Sequence, residues 1–152
     1  MHMYREIFEQ PAVLRTCMEK NAAAIGAIAA AGGQIRNIVI AARGSSDHAG
    51  TYGKYLLEIL TGVPVSLAAC SVVTAYKTEM DYSGSLVIGL SQSGAAEDVA
   101  QVLERARACG ALTVAVTNFP HTRVARAAAH HLCLHAGEEK SVAATKTVTA
   151  QM

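Results

Sequence analysis

The apolar run Ser85-Leu86-Val87-Ile88-Gly89-Leu90 stops abruptly in Ser91-Gln92-Ser93-Gly94, and a segment rich in Ala, Val and Leu begins a few residues later. This is the pattern of a buried strand that ends in hydroxyls, an amide and a glycine just before a helix. Such an arrangement aims hydroxyl donors and a helix N-terminus at one point, where an anion such as a phosphate can be held. A second copy lies upstream: Ile38-Val39-Ile40-Ala41-Ala42 runs into Arg43-Gly44-Ser45-Ser46-Asp47-His48, followed by the helical pattern Tyr52 to Leu60. Two strand–serine-loop–helix units in one short chain point to a phosphorylated small molecule at the edge of a parallel sheet.

The rest of the chain is punctuated to match. A helical region covers roughly Tyr4 to Ala31, with Pro11 marking a break or the start of a second helix. Strands are predicted near Asn37–Ala42, Val63–Ala69, Ser85–Leu90, Leu112–Thr117 and His131–His135. Helices are predicted between them near Ala49–Leu60, Ser71–Tyr76, Ala95–Cys109 and Thr122–Ala128. The strands carry Val and Ile without strict alternation, as when both faces are covered. Connections of helical length make successive strands parallel, with right-handed crossovers. The expected fold is a three-layer α/β sandwich with a five-stranded parallel sheet flanked by helices, in one domain over residues 1–152. Gly62 and Gly110 stand where helices should end, and Pro64 stops the first of them from continuing.

Charge and composition narrow the partners. Thirteen Lys and Arg against twelve Asp and Glu leave a net charge of +1, with no basic tract, so neither nucleic acid nor an anionic membrane is an expected partner. No apolar stretch reaches the roughly 18 residues a membrane span requires. The N-terminus lacks a signal-peptide core. Cys17, Cys70, Cys109 and Cys133 are widely spaced, with no C-x-x-C pair, and read as reduced thiols of a cytoplasmic protein.

Other chemistries fit poorly. There is no G-x-G-x-x-G after a strand and no P-loop. Gly89-Leu90-Ser91-Gln92-Ser93 misses the nucleophile elbow at its last position. His131 and His135 lie four apart on a strand, which does not make a metal pair, so no metal is expected there. A third loop, Ala136-Gly137-Glu138-Glu139-Lys140-Ser141-Val142-Ala143-Ala144-Thr145-Lys146, places two carboxylates before the start of a last helix. Charge alone leaves two roles open for them: favourable placement at a helix N-terminus, or one carboxylate turned toward a sugar hydroxyl or amine. The serines of the first two loops likewise read either as helix caps or as ligand donors. From Ser141 to Met152 the chain looks like the opening of a helix and has no end signal, which suggests the front part of a longer protein.

Together the loops Ala42–Gly50, Ser91–Gly94 and Ala136–Lys146, in this order and spacing, resemble the three signature loops of the SIS (sugar isomerase) domain. They look like the first SIS half of the isomerase region of glutamine–fructose-6-phosphate aminotransferases, and closer still like that of the relatives without a glutaminase domain, the alternative-type glucosamine-6-phosphate deaminases. The N-terminal Tyr4-Arg5-Glu6-Ile7-Phe8-Glu9-Gln10-Pro11 also resembles the E-I-x-E-Q-P entry of those proteins.

The resemblance implies a hexose or hexosamine 6-phosphate as ligand and no cofactor. It implies Gly44, Ser45, Ser46, Ser91, Gln92, Ser93, Val142 and Ala144 as the residues around that ligand, and Glu139 as the glutamate of the third loop and the one catalytic candidate. Family members often continue S-Q-S-G-E-T, whereas here Ala95 and Ala96 follow, so one phosphate hydroxyl is missing. The main base of an aldose–ketose isomerase is expected outside this chain, in a second SIS half, and a homodimer is expected. Two readings follow: the sugar-phosphate-binding half of an amino-sugar isomerase, deaminase or aminotransferase, or a non-catalytic SIS module that senses a sugar phosphate and regulates a partner.

Overall fold

The computed structural model describes residues 2–152. Its elements are α1 (His2–Ala31), β1 (Asn37–Ala41), α2 (Ser45–Thr61), β2 (Val65–Leu67), α3 (Cys70–Thr74), β3 (Ser85–Ser91), α4 (Glu97–Ala108), β4 (Leu112–Thr117), α5 (Arg123–Ala127), β5 (His130–Cys133) and α6 (Lys146–Gln151). The five strands form one parallel sheet in the order β2-β1-β3-β4-β5. This is the expected three-layer sandwich.

Alternate residues of each strand face opposite sides. Val39, Ala41, Val87 and Ala115 pack with Val99, Val102 and Leu103 of α4 and Val124 of α5. Ile38, Ile40, Val65 and Leu90 pack on the other side with Ala49 and Leu57 of α2. A third cluster joins Val13 and Cys17 of α1 to Leu134, Ala136 and Ala150. Each fully buried Val or Leu contributes roughly 1.5–3 kcal/mol. Gly89 makes the β3–α4 contact close: a Cβ there would lie 2.6 Å from Leu103 Cδ1 and 3.0 Å from Val99 Cγ1.

Several local expectations are corrected. Pro11 lies inside α1 without ending it. It removes one backbone donor, but Glu6, Glu9 and Gln10 beside it are tied to the distant loop and helix that follow β5, and these ties hold the segment. α2 starts at Ser45, not near Ala49, because Gly44 makes the turn on its own (φ 58). β2 is three residues long, and β5 stops before His135, whose φ of 52 leaves the strand conformation. The last helix begins only at Lys146, because the residues before it are held as a loop. Gly62 caps α2 in the left-handed conformation, and Gly110 follows the C-cap of α4, as expected.

Asn21 of α1 closes the free edge of β5. Its Nδ2 donates to Cys133 O (2.7 Å) and its Oδ1 accepts from Cys133 N–H (3.1 Å), imitating a neighbouring strand. Among the described residues, no helix is long and apolar enough to cross a membrane.

Candidate functional site

The strand order reverses between β1 and β3: β2 follows on one side, β4 and β5 on the other. In open parallel sheets this switch point is where the loops after two neighbouring strands part toward opposite faces and leave a crevice. Both serine loops start there. Ala41 pairs with Gly89 in register, so β3 runs two residues further and presents Leu90 and Ser91 beyond the end of β1. Gly44, Ser45 and Ser46 therefore sit at the same sheet edge as Ser91, Gln92 and Ser93. An ion pair crosses between the two loops, Arg43 Nη1 to Asp98 Oδ2 in the first turn of α4, at 2.6 Å.

None of the four serines caps a helix. The N-cap positions of α2 and α4 are Gly44 and Ala96, and neither makes a side-chain cap bond. Ser46 and Ser91 are buried, whereas Ser45 and Ser93 are exposed. Ser91 Oγ accepts from Gly94 N–H (3.1 Å) and Ser93 Oγ from Ala95 N–H (3.3 Å), which folds the loop tightly. Gly94 adopts φ 69 and lies against Thr122, so close that a Cβ would be 2.1 Å from its Oγ1. Only glycine fits both demands. At the foot of α4, Glu97 and Asp98 occupy the first turn, where the macrodipole favours negative charge.

The third loop reaches the same edge through Gln92, whose Nε2 donates to Glu139 Oε2 at 3.3 Å. Glu139 also accepts from Thr145 N–H (2.8 Å), Thr145 Oγ1 (2.7 Å) and the Thr147 hydroxyl. Burial, the largest single influence, pushes its pKa up, but the bonds from Thr147 and Thr145 together outweigh it and hold the carboxyl below its ordinary range. Glu138 is exposed and paired only with Lys140, at 3.5 Å. Val142 stands wholly in solvent, and Ala144 is half-buried.

Two residues missed by sequence reasoning organise this edge. Asn118, buried at the end of β4, donates from Nδ2 to Gly137 O (2.6 Å), accepts at Oδ1 from Ala136 N–H (2.9 Å), and gives its backbone N–H to Gln92 O (3.0 Å). It thereby joins the second loop to the third. Glu6 of α1, with no exposed surface, accepts from Lys140 N–H (2.6 Å), Ser141 N–H (3.2 Å) and the Ser141 hydroxyl. The only advance signal for Glu6 was its place in the Glu6–Pro11 segment. Nothing marked Asn118.

His131 of β5 reaches Thr117, the register partner of Ser91 on β4. Its Nε2 is 2.8 Å from Thr117 Oγ1, and burial holds its pKa below the ordinary imidazole value. Among the described residues, no three His, Cys, Asp or Glu side chains gather as a metal site.

Residues 34–152 match the model of the SIS domain family. The chain is 36% identical, over 156 residues, to glutamine–fructose-6-phosphate aminotransferase [isomerizing] of Aquifex aeolicus, covering 99% of this chain and 25% of the relative. It is 38% identical to the enzyme of that name from Bacillus subtilis, covering 99% and 26%. A solved chain from Silicibacter pomeroyi DSS-3, carrying the provisional name phosphosugar isomerase, superposes with a TM-score of 0.92 at 37% identity, over 99% of this chain and 46% of that one. The C-terminal domain of glucosamine-fructose-6-phosphate aminotransferase from Francisella tularensis gives 0.83 at 26% identity, over 99% and 44%. The chain thus spans about a quarter of the length of the curated relatives it matches and under half of these solved chains. Over that span the match includes all three loops at the switch-point edge, and the chain belongs to the SIS domain family.

Proposed function

We propose that this chain is the sugar-phosphate-binding half of an aldose–ketose isomerase acting on hexose or hexosamine 6-phosphates, of the amino-sugar aminotransferase or deaminase kind. The observation that carries this reading is the meeting of two serine-bearing strand ends at one switch point, with the third loop tied to the second through Gln92 and Glu139.

In this reading the phosphate lies against Ser91, Gln92 and Ser93, before the N-terminus of α4. Hydroxyls and backbone N–H groups hold it there without a dedicated lysine. Gly44, Ser45 and Ser46 line the opposite wall, and Val142 and Ala144 cover the sugar. Glu139 acts on Gln92 rather than on a sugar carbon. Its oxygens already accept four hydrogen bonds, and a carboxylate whose pKa is held low is a weak proton acceptor. The base for proton transfer between sugar carbons then belongs to a second SIS half in a longer chain.

The same reading takes the protein as a cytoplasmic homodimer. Tyr52, Tyr55, Leu56, Ile59 and Leu60 form an exposed apolar stripe along α2, which supports an unmet partner surface. The four cysteines are free, which suits a reducing compartment.

Calorimetric titration of glucosamine 6-phosphate into the unmodified chain and into the Ser91→Ala/Ser93→Ala double variant tests the phosphate assignment. Loss of two donors is expected to weaken binding by at least about tenfold. Equal affinity in the two proteins rejects the site.

A further inference from the structure

The segment Glu6-Ile7-Phe8-Glu9-Gln10-Pro11 lies on α1 and belongs to neither of the serine loops. Its three polar side chains all reach the chain after β5. Glu6 accepts three hydrogen bonds from Lys140 and Ser141. Glu9 Oε2 pairs with Lys146 Nζ at 2.6 Å, and that lysine is buried. Gln10 Oε1 accepts from Thr149 Oγ1 at 3.0 Å.

A carboxylate with no exposed surface is tolerable only if donors replace its water. Here those donors are two consecutive backbone N–H groups and a hydroxyl of the third loop. The loop depends on the carboxylate in turn, because its backbone N–H groups are satisfied there. Glu139 grips the other end of the loop at Thr145 and Thr147. Between the two grips stand Val142, Ala143 and Ala144. Val142 is an apolar side chain at full exposure, held out from the body rather than folded onto it.

We propose that Glu6 is a positioning residue: supported by Glu9 and Gln10, it fixes residues 140–145 so that Val142 and Ala144 meet the sugar in a set geometry. This rests on the reading of the crevice as a sugar-phosphate site. Glu6 touches no ligand. It contributes by keeping the loop ordered before binding, so that little ordering cost falls on the binding step.

Glu6→Gln tests this, since the amide keeps the size but turns a donor toward the loop N–H groups. Two readouts are needed. In amide exchange, the N–H groups of Lys140, Ser141 and Thr145, which the two carboxylates hold, are expected to exchange at least about threefold faster, with β3 protection unchanged. In binding, affinity for glucosamine 6-phosphate is expected to fall about tenfold, while affinity for inorganic phosphate stays within about twofold. A merely structural carboxylate would weaken both ligands together.

Ser141→Ala removes a single donor and carries the test if Glu6→Gln does not fold. The same changes in smaller measure are expected. Unchanged exchange at Lys140, Ser141 and Thr145, or an equal loss for both ligands, overturns the positioning role. Absence of any sugar-phosphate binding by the unmodified chain overturns the functional reading, and the positioning role falls with it. Loop exchange that still rises in Glu6→Gln would then mark the clamp as purely structural.

Discussion

Gln92 and Glu139, 47 residues apart in sequence, meet at 3.3 Å and join the loop after β3 to the loop after β5. Each end of the contact is fixed from behind: Gln92 through its backbone carbonyl to Asn118, Glu139 through Thr145 and Thr147. The proposed phosphate side and sugar side of the crevice are therefore parts of one hydrogen-bonded unit.

Replacing Glu139 by Gln should destabilise the fold by about 2 kcal/mol, because charge-assisted hydrogen bonds from Thr145 and Thr147 lose an ionic acceptor. Urea unfolding monitored by circular dichroism measures this. A midpoint equal to that of the unmodified chain would show that the carboxylate is not engaged as described.

Asn118→Ala should cost a similar amount, about 1–3 kcal/mol, by leaving Gly137 O and Ala136 N–H without their partner. It should also weaken glucosamine 6-phosphate binding although Asn118 makes no proposed ligand contact. Thermal unfolding and titration on the same variant separate the two effects, and intact affinity would argue that the second and third loops are held independently.

Stability should rise with pH in two windows. His131 is held below its ordinary value of 6.5 by burial, so on acidification through that region the unfolded chain takes the proton first and the fold loses stability. Glu139, and Glu6 through the Ser141 hydroxyl and the Lys140 N–H, are held below 4.5. Their contribution is complete above that value and is lost as pH falls toward their lower folded values. Urea midpoints measured across this range should decline in both windows. His135 is lowered by burial as well, so His131→Gln should flatten part of the upper decline and Glu139→Gln part of the lower one. Profiles that stay parallel to the unmodified chain would count against both assignments.

Gly89→Ala should destabilise by about 1–3 kcal/mol by pushing Leu103 and Val99 off β3. Gly94→Ala should cost more, since it adds a strained φ of 69 to a collision with Thr122. Comparing the two melting curves checks the order, and the reverse order would mean that the loop relaxes more easily than the core.

The fold was legible because its signals are local. Val and Ile runs mark strands covered on both faces, and helical spacing between them forces parallel order. The two serine loops pointed to a ligand at the edge of the sheet, but the strand order that puts both at one switch point came only with the structure. What escaped the sequence depends on contacts across the chain. Pro11 would break an isolated helix, yet α1 continues because Glu6, Glu9 and Gln10 are anchored to residues more than 130 positions away. Ser141 to Thr145 has helical composition, but two carboxylates hold it as a loop. Asn118 carries no periodicity or motif, and only the convergence of three backbone groups on its side chain and N–H gives it a role.

The most direct measurement is a titration of glucosamine 6-phosphate into the isotopically labelled chain, followed through its backbone amide resonances. The account predicts that the largest shifts fall on Gly44–Ser46, Gln92–Gly94 and Val142–Ala144 together, with one common affinity. Shifts confined to the apolar groove lined by Ile25, Leu56 and Met152, or no shifts at saturating sugar phosphate, would contradict it.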